Sequence, residues 1–211
     1  MQTREKILFI SPHTDDSELA CAGTMAKYIA EKQDVYCAVF SLCRKSLPEG
    51  FPPDTLQAEC KEAMNRIGLK ADNLIIYDYE VRNFHHHRQD ILEDMVKLNK
   101  LILPSMVFIP TANDIHQDHQ VIHSEALRAF KHSSLLGYEL PWNDTQFAPT
   151  WFNCLDEKML EQKIHVLKAY QSQSHRSYMN EEFIRSLARV RGIQCGSKWA
   201  EAFETIKYIR R

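Results

Sequence analysis

Two short clusters of histidine and aspartate, about a hundred residues apart, hold the residue types that bind divalent metals. The first is Ser11-Pro12-His13-Thr14-Asp15-Asp16, and the second is Asp114-Ile115-His116-Gln117-Asp118-His119. Imidazole nitrogen and carboxylate oxygen are zinc-type donors, and three of them with a position left for water make a catalytic centre. The chemistry this pairing suggests is metal-dependent hydrolysis. Each cluster also has a plainer reading, because aspartate is a good helix N-cap and carboxylates favour a helix N-terminus. A cap needs one aspartate and no histidine, so the redundancy of both clusters favours ligands.

The elements around the clusters explain how they could meet. Ile7-Leu8-Phe9-Ile10 precedes the first and Met106-Val107-Phe108-Ile109 the second, each a short apolar run of the kind found in parallel strands buried on both faces. Histidine and aspartate therefore fall at the C-terminal ends of strands, where open α/β sheets assemble their sites. Strands are expected at 6–12, 35–41, 73–79 and 106–110. Helices are expected at 17–32, at 55–67 with Gly68 as C-cap, at 88–103 and at 118–131. The C-terminal third is less regular, with strands expected at 135–140, 150–155 and 202–209 and helices at 156–173 and 180–191. The alternation predicts an α/β fold, a Rossmann-like three-layer sandwich with a mostly parallel central sheet, in one domain spanning 1–211.

Composition narrows the function classes. A formal net charge of -2 gives no electrostatic footprint for nucleic acid or an anionic membrane. No apolar stretch approaches the ~20 residues of a membrane-spanning helix, and the N-terminal residues run straight into a strand, so no signal peptide is read. The six cysteines show no C-x-x-C pair and read as reduced thiols of a cytoplasmic protein.

The segment Pro12-His13-Thr14-Asp15-Asp16-Ser17-Glu18-Leu19, followed by Ala22-Gly23-Thr24, resembles the P-H-P-D-D-x-E-L-x-x-G-G-T signature of the LmbE-like (PIG-L) family of zinc-dependent N-acetylglucosaminyl deacetylases. His116-Gln117-Asp118-His119 resembles that family's second motif, H-P-D-H. Glu59 with Ala63 and Leu69, the segment Ala169-Tyr170-Gln171-Ser172-Gln173, and Ala200-Glu201-Ala202-Phe203 are similar to further family signatures. The resemblance implies that His13, Asp16 and His119 bind the metal, and that Asp15 is the general base taking a proton from the attacking water. It implies that a protonated His116 stabilises the oxyanion and hands a proton to the leaving amine, and that Asp118 holds an imidazole in its tautomer. Zn2+ is the implied metal, with Fe2+, Co2+ or Mn2+ equally compatible with one Asp and two His. The implied reaction frees acetate and an amine from an N-acetylated amino sugar. Thr14, Gln117 and Ala22 depart from the pattern at backbone-shaping positions. Leu56 stands where several thiol-pathway members carry a substrate-binding arginine, which speaks against a mycothiol- or bacillithiol-type substrate.

Loops at the same sheet edge supply substrate-side candidates. Arg44 and Lys45, Arg82, and His85-His86-His87-Arg88 would form a cationic rim suited to a phosphate or diphosphate, and the plainer reading is a solvated loop. Asp114 is a candidate acceptor for a sugar hydroxyl, with a turn residue as its plainer reading. Tyr138, Trp142 and Trp151 could stack on a sugar or belong to the core. The partner expected is therefore a small N-acetylated sugar or a glycan, nucleotide-sugar or lipid-linked precursor, and a homo-oligomer is compatible with the fold. A two-metal phosphoesterase would need more bridging carboxylates than the clusters offer. A nucleotide-binding Rossmann module would need G-x-G-x-x-G at the first turn, which instead carries two carboxylates that repel a pyrophosphate.

Overall fold

The computed structural model describes residues 4–210. Seven strands form one sheet: β1 (Lys6–His13), β2 (Asp34–Ser41), β3 (Leu74–Ile76), β4 (Met106–Pro110), β5 (Ser134–Tyr138), β6 (Trp151–Leu155) and β7 (Trp199–Lys207). Six helices accompany them: α1 (Asp16–Ala30), α2 (Thr55–Ile67), α3 (Arg88–Ile102), α4 (Gln117–Ala129), α5 (Glu157–Leu167) and α6 (Glu181–Cys195). The strand order is β3-β2-β1-β4-β5-β7-β6. The first five are parallel, and β7 runs antiparallel to both β5 and β6. The α/β sandwich with a mostly parallel sheet is as expected.

Side chains of the central strands alternate between two cores, because successive residues of a strand point to opposite faces. Ile7, Phe9, Val35, Val39 and Phe108 pack with Leu19, Met25, Leu56, Leu160 and Ile184, so α1, α2, α5 and α6 cover one face. Leu8, Ile10, Phe40, Val107 and Ile109 pack with Ile91, Met95, Val121 and Ile122, so α3 and α4 cover the other. Strands buried on both sides cannot show polar alternation, which is why their sequences read as continuous apolar runs.

Boundaries shift in several places, the last strand among them, which begins at Trp199 and ends at Lys207. The third strand spans only Leu74–Ile76, although Tyr77 and Tyr79 still donate backbone hydrogen bonds to Val39 and Phe40. The helix expected over 156–173 stops at Leu167 and gives way to a tight turn at Gln171–Gln173. The final helix continues to Cys195, where Gly196 at φ 74 reverses the chain in the left-handed conformation glycine tolerates. No helix among the described residues is long and apolar enough to cross a membrane.

One consequence of strand order positions the site. From β1 the chain steps outward to β2 and β3, then returns to lay β4 on the opposite side of β1. A crevice opens where the order reverses, outside the C-terminal ends of these strands. Both clusters sit there.

Candidate metal centre

Strand β1 delivers His13 as its last residue, and the turn into α1 is built by its neighbours. Ser11 Oγ donates to the His13 carbonyl at 2.6 Å and accepts from the Ser17 amide at 3.0 Å. Asp16, the first residue of α1, accepts the His13 amide on Oδ2 at 2.9 Å. Asp15 occupies the N-cap position at φ 102, a strained conformation for a residue with a Cβ, and its side chain makes no capping hydrogen bond. The carboxylate that a plain cap would spend on the helix is therefore left for the pocket. At the second cluster His116 is the N-cap of α4, its Nδ1 accepting the Asp118 amide at 3.2 Å, and His119 projects from the first turn.

Three side-chain atoms converge. His13 Nδ1 lies 3.2 Å from Asp16 Oδ2, His119 Nε2 lies 3.2 Å from the same oxygen, and the two nitrogens are 3.1 Å apart. A tetrahedral ion with bonds of about 2.0–2.1 Å sets its donor atoms about 3.3 Å apart. The triangle thus matches the spacing of three donors in such a shell. His116 stands beside it, its ring centroid 4.7 Å from that of His13 and 4.5 Å from that of His119. Donor atoms of His13, His116 and His119 all lie within 4.8 Å of one another.

The imidazoles of His13 and His119 are each held from behind by a carboxylate, the arrangement that fixes tautomer and raises donor basicity at metal sites. Asp118 Oδ2 meets His13 Nε2 at 2.9 Å and accepts the Arg82 amide at 2.6 Å, while Oδ1 accepts the Phe84 amide at 3.3 Å. Asp114 Oδ2 meets His119 Nδ1 at 2.5 Å, and its Oδ1 accepts the His116 amide at 2.8 Å. Asp114 is 1% exposed with both oxygens committed, so the expected sugar-hydroxyl acceptor is instead a brace for His119. The rim arginines also differ from expectation. Arg44 pairs with Asp78 at 3.1 Å outside this pocket. Arg82 reaches the centre through its backbone amide, at φ 67, and its guanidinium turns to the Lys45 carbonyl and Ser46 Oγ. His85 and His86 lie against each other at the surface and, with His87, join no metal-spaced group among the described residues.

Electrostatics follow from burial and these short distances. Burial opposes ionisation of Asp16, but the charges and hydrogen bonds of His119 and His13 outweigh it and hold the carboxyl far below the usual range. Burial likewise opposes a charged His119, yet Asp16 and Asp114 push it up to about 10, and His13 is raised by Asp16 and Asp118 against the same opposition. Asp15 is raised well above its ordinary value by burial, then by Asp16 and Glu18, with Arg176 and His119 pulling the other way. His116 is pushed down to about 4 by burial and by the positive His13 and His119. In the metal-free protein, with its Nδ1 accepting an amide proton, His116 is neutral and carries its proton on Nε2, in contrast to the protonated ring that the resemblance implies.

An open pocket of about 210 Å³ leads to the centre. His13, Asp15, Asp16 and His116 line its base, and Leu56, Trp142, Asn143, Gln173, Arg176 and Tyr178 line its walls. Trp142 stacks on Tyr178 at 3.9 Å, whereas Tyr138 is a core residue whose hydroxyl donates to the Ile10 carbonyl at 3.0 Å. Trp151 packs edge-on against Phe108 and Phe203 in the core. Sequence reasoning met Gln173 only as the end of the resemblance over 169–173, and missed Arg176 and Tyr178. They lie on short turns between α5 and α6 without periodicity, and the one available signal was the Gln171-Ser172-Gln173 resemblance just before them.

Comparison with known proteins identifies the family and the fold. The family model "PIG-L: GlcNAc-PI de-N-acetylase" matches residues 8–130. The uncharacterised deacetylase YaiS of Escherichia coli (strain K12) is 27% identical over 175 residues, covering 80% of this chain and 92% of that protein. N,N'-diacetylchitobiose deacetylase from Pyrococcus horikoshii superposes with a TM-score of 0.79 at 18% identity, covering 96% of this chain and 84% of its own. The A40926 pseudoaglycone deacetylase Dbv21 superposes at 0.80 with 20% identity, covering 99% and 100%. At those identities the solved structures establish the fold. The family match spans more than half of the chain and takes in both histidine-aspartate clusters, and the protein is a member of the PIG-L family of de-N-acetylases.

Proposed function

We propose that the protein is a metal-dependent N-deacetylase that hydrolyses the acetamide of an N-acetylated amino sugar to acetate and a free amine. The observation that carries this reading is the triangle of His13 Nδ1, Asp16 Oδ2 and His119 Nε2, with edges of 3.1–3.2 Å, at the base of an open pocket. Those three residues would hold a divalent cation, Zn2+ or another metal of similar donor preference. Such an ion, when bound, supplies Lewis acidity that acidifies water and polarises a carbonyl.

Asp15 lines the pocket beside the ligands and has no capping duty, so it serves as the general base for the attacking water. Its raised proton affinity makes it a better base than an exposed aspartate. His116 directs Nε2–H toward the place where the acetamide oxygen gains charge, as an oxyanion donor in its neutral form. Asp114 and Asp118 hold His119 and His13 in orientation. Leu56 brings an apolar side chain to the α2 wall, which favours a glycan, nucleotide-sugar or lipid-linked substrate over a thiol-pathway glycoside.

The test is acetate release from N-acetylglucosamine, UDP-N-acetylglucosamine and N-acetylated glycosyl lipids by native, chelator-treated and Asp15→Asn protein. General-base catalysis contributes about 10²–10⁴-fold, so Asp15→Asn should lower kcat by that factor while bound metal stays at the native level. Acetate release that survives both chelation and Asp15→Asn would sink the proposal.

A further inference from the structure

Of the arginines near the sheet edge, Arg82 and Arg176 lack a carboxylate partner, and Arg82 turns its guanidinium to the Lys45 carbonyl and Ser46 Oγ while Arg176 lines the pocket. Arg44 pairs with Asp78, Arg88 with Glu125 and Arg191 with Glu139. Among the described residues Arg176 has no carboxylate within ion-pair distance, although it is half-buried and lines the pocket. A partly desolvated guanidinium retains its preference for planar anions, and its fork of donors is suited to two oxygens at once.

Its placement is built rather than incidental. Glu59 on α2 accepts from the Ser172 amide at 2.8 Å and from Ser172 Oγ at 2.6 Å, pinning the turn after α5. Gln173, 4% exposed, donates to Ser172 Oγ at 3.0 Å and accepts from Arg176 Nε at 2.8 Å. The guanidinium carbon lies 5.8 Å from the centre of the Tyr178 ring, whose other neighbour is Trp142. One hydrogen-bonded chain, from Glu59 through Ser172 and Gln173, therefore fixes Arg176 through Nε. The guanidinium also hydrogen-bonds the Tyr178 side chain and attracts Asp15 at longer range, but among the described residues it pairs with no carboxylate.

Resting on the deacetylase reading, we infer that Arg176 forms an anion subsite, and that the substrate is an N-acetylated amino sugar bearing a phosphoryl or carboxylate group outside the reacting acetamide. Trp142 and Tyr178 supply the aromatic surface beside it, and a neutral sugar would leave the guanidinium without an anionic partner in ion-pair contact. Glu59 is a positioning residue for this subsite, acting through Ser172 and Gln173.

The experiment compares N-acetylglucosamine with its 1-phosphate, its 6-phosphate and N-acetylmuramic acid, using metal-loaded wild type, Arg176→Gln and Arg176→Lys. Wild type should favour at least one anionic sugar by about tenfold or more in kcat/KM, carried by KM. The ratio should fall to near one in Arg176→Gln and recover in part in Arg176→Lys, and the identity of the preferred probe separates phosphate from carboxylate. The same ratios are read by calorimetric binding, so a protein that binds anionic sugars through Arg176 without releasing acetate would sink the deacetylase reading and leave the subsite standing. Inorganic phosphate is the control for direct binding to the metal, which would persist in Arg176→Gln. Equal affinity for neutral and anionic sugars in wild type, or an anion preference that survives Arg176→Gln in a folded protein, would overturn the inference.

Discussion

Replacing Asp114 separates a brace from a sugar contact. Its Oδ2 lies 2.5 Å from His119 Nδ1, and both side chains are within 2% of full burial. Hydrogen bonds to charged groups contribute about 1.5–3 kcal/mol, and loss of a carboxylate behind a metal-bound imidazole costs roughly 10–100-fold in metal affinity. Asp114→Ala also strands the His116 amide, which now donates to Oδ1 at 2.8 Å. Metal affinity of Asp114→Ala, read by competition with a chromophoric chelator, should fall by about 30–100-fold. Asp114→Asn keeps an acceptor for Nδ1–H without the charge and should lose roughly tenfold. Thermal melts confirm that both variants are folded. At saturating metal KM should stay within about twofold of wild type, because the residue is 1% exposed and meets no substrate. Unchanged metal affinity together with a raised KM would refute the brace and restore Asp114 as a hydroxyl acceptor.

Two further outcomes are expected. His119 has a folded pKa pushed up to about 10, above its ordinary value of about 6.5, so its stabilisation of metal-free protein is complete below about pH 6.5 and is lost as pH rises toward 10. Melts of metal-free protein across that range should show falling Tm, a slope that His119→Gln lacks, and calorimetry in buffers of different ionisation enthalpy should show metal uptake at pH 7 releasing a proton; affinity independent of pH between 6 and 8 would contradict this. Gly23→Ala should destabilise although alanine is the better helix former, since the new Cβ would lie 2.5 Å from Leu155 Cδ1 and 3.1 Å from Glu201 Oε1. Overpacking of this kind costs about 1–3 kcal/mol, or a Tm lower by roughly 2–10 °C, and a raised Tm would show that α1 is not so tightly seated against β6 and β7.

Where local physics decides structure, the sequence was readable. The runs at Ile7–Ile10 and Met106–Ile109 could only be strands buried on both faces, and the cap at Gly68 closes α2 as expected. Long-range partners were harder to see. Asp114 looks like a turn residue until folding brings its second oxygen to His119, five positions on. Arg44 and Arg82 read as a cationic rim because charge, unlike orientation, is visible in a sequence. Arg176 and Tyr178 were invisible because short turns have neither period nor cap, and their place in the pocket depends on Glu59 more than a hundred residues away.

The distribution of the pocket along the chain has an evolutionary consequence. His13, Asp15, Asp16, Asp114, His116, Asp118 and His119 all lie within the 8–130 segment that the family model matches. Trp142, Asn143, Gln173, Arg176 and Tyr178 all lie beyond it. The histidine-aspartate centre thus resides before β5 and one wall of the pocket after it, while Cys43, Ser46, Leu56 and Val81 supply the facing wall from the first stretch. Drift, insertion or recombination after β5 can retarget the protein to new acylated molecules while the histidines and aspartates stay untouched. Chimeras joined within β5 would exchange the Trp142, Arg176 and Tyr178 wall as a unit and keep the Leu56 wall, so the C-terminal third is one place where members of this fold can diverge without altering the centre.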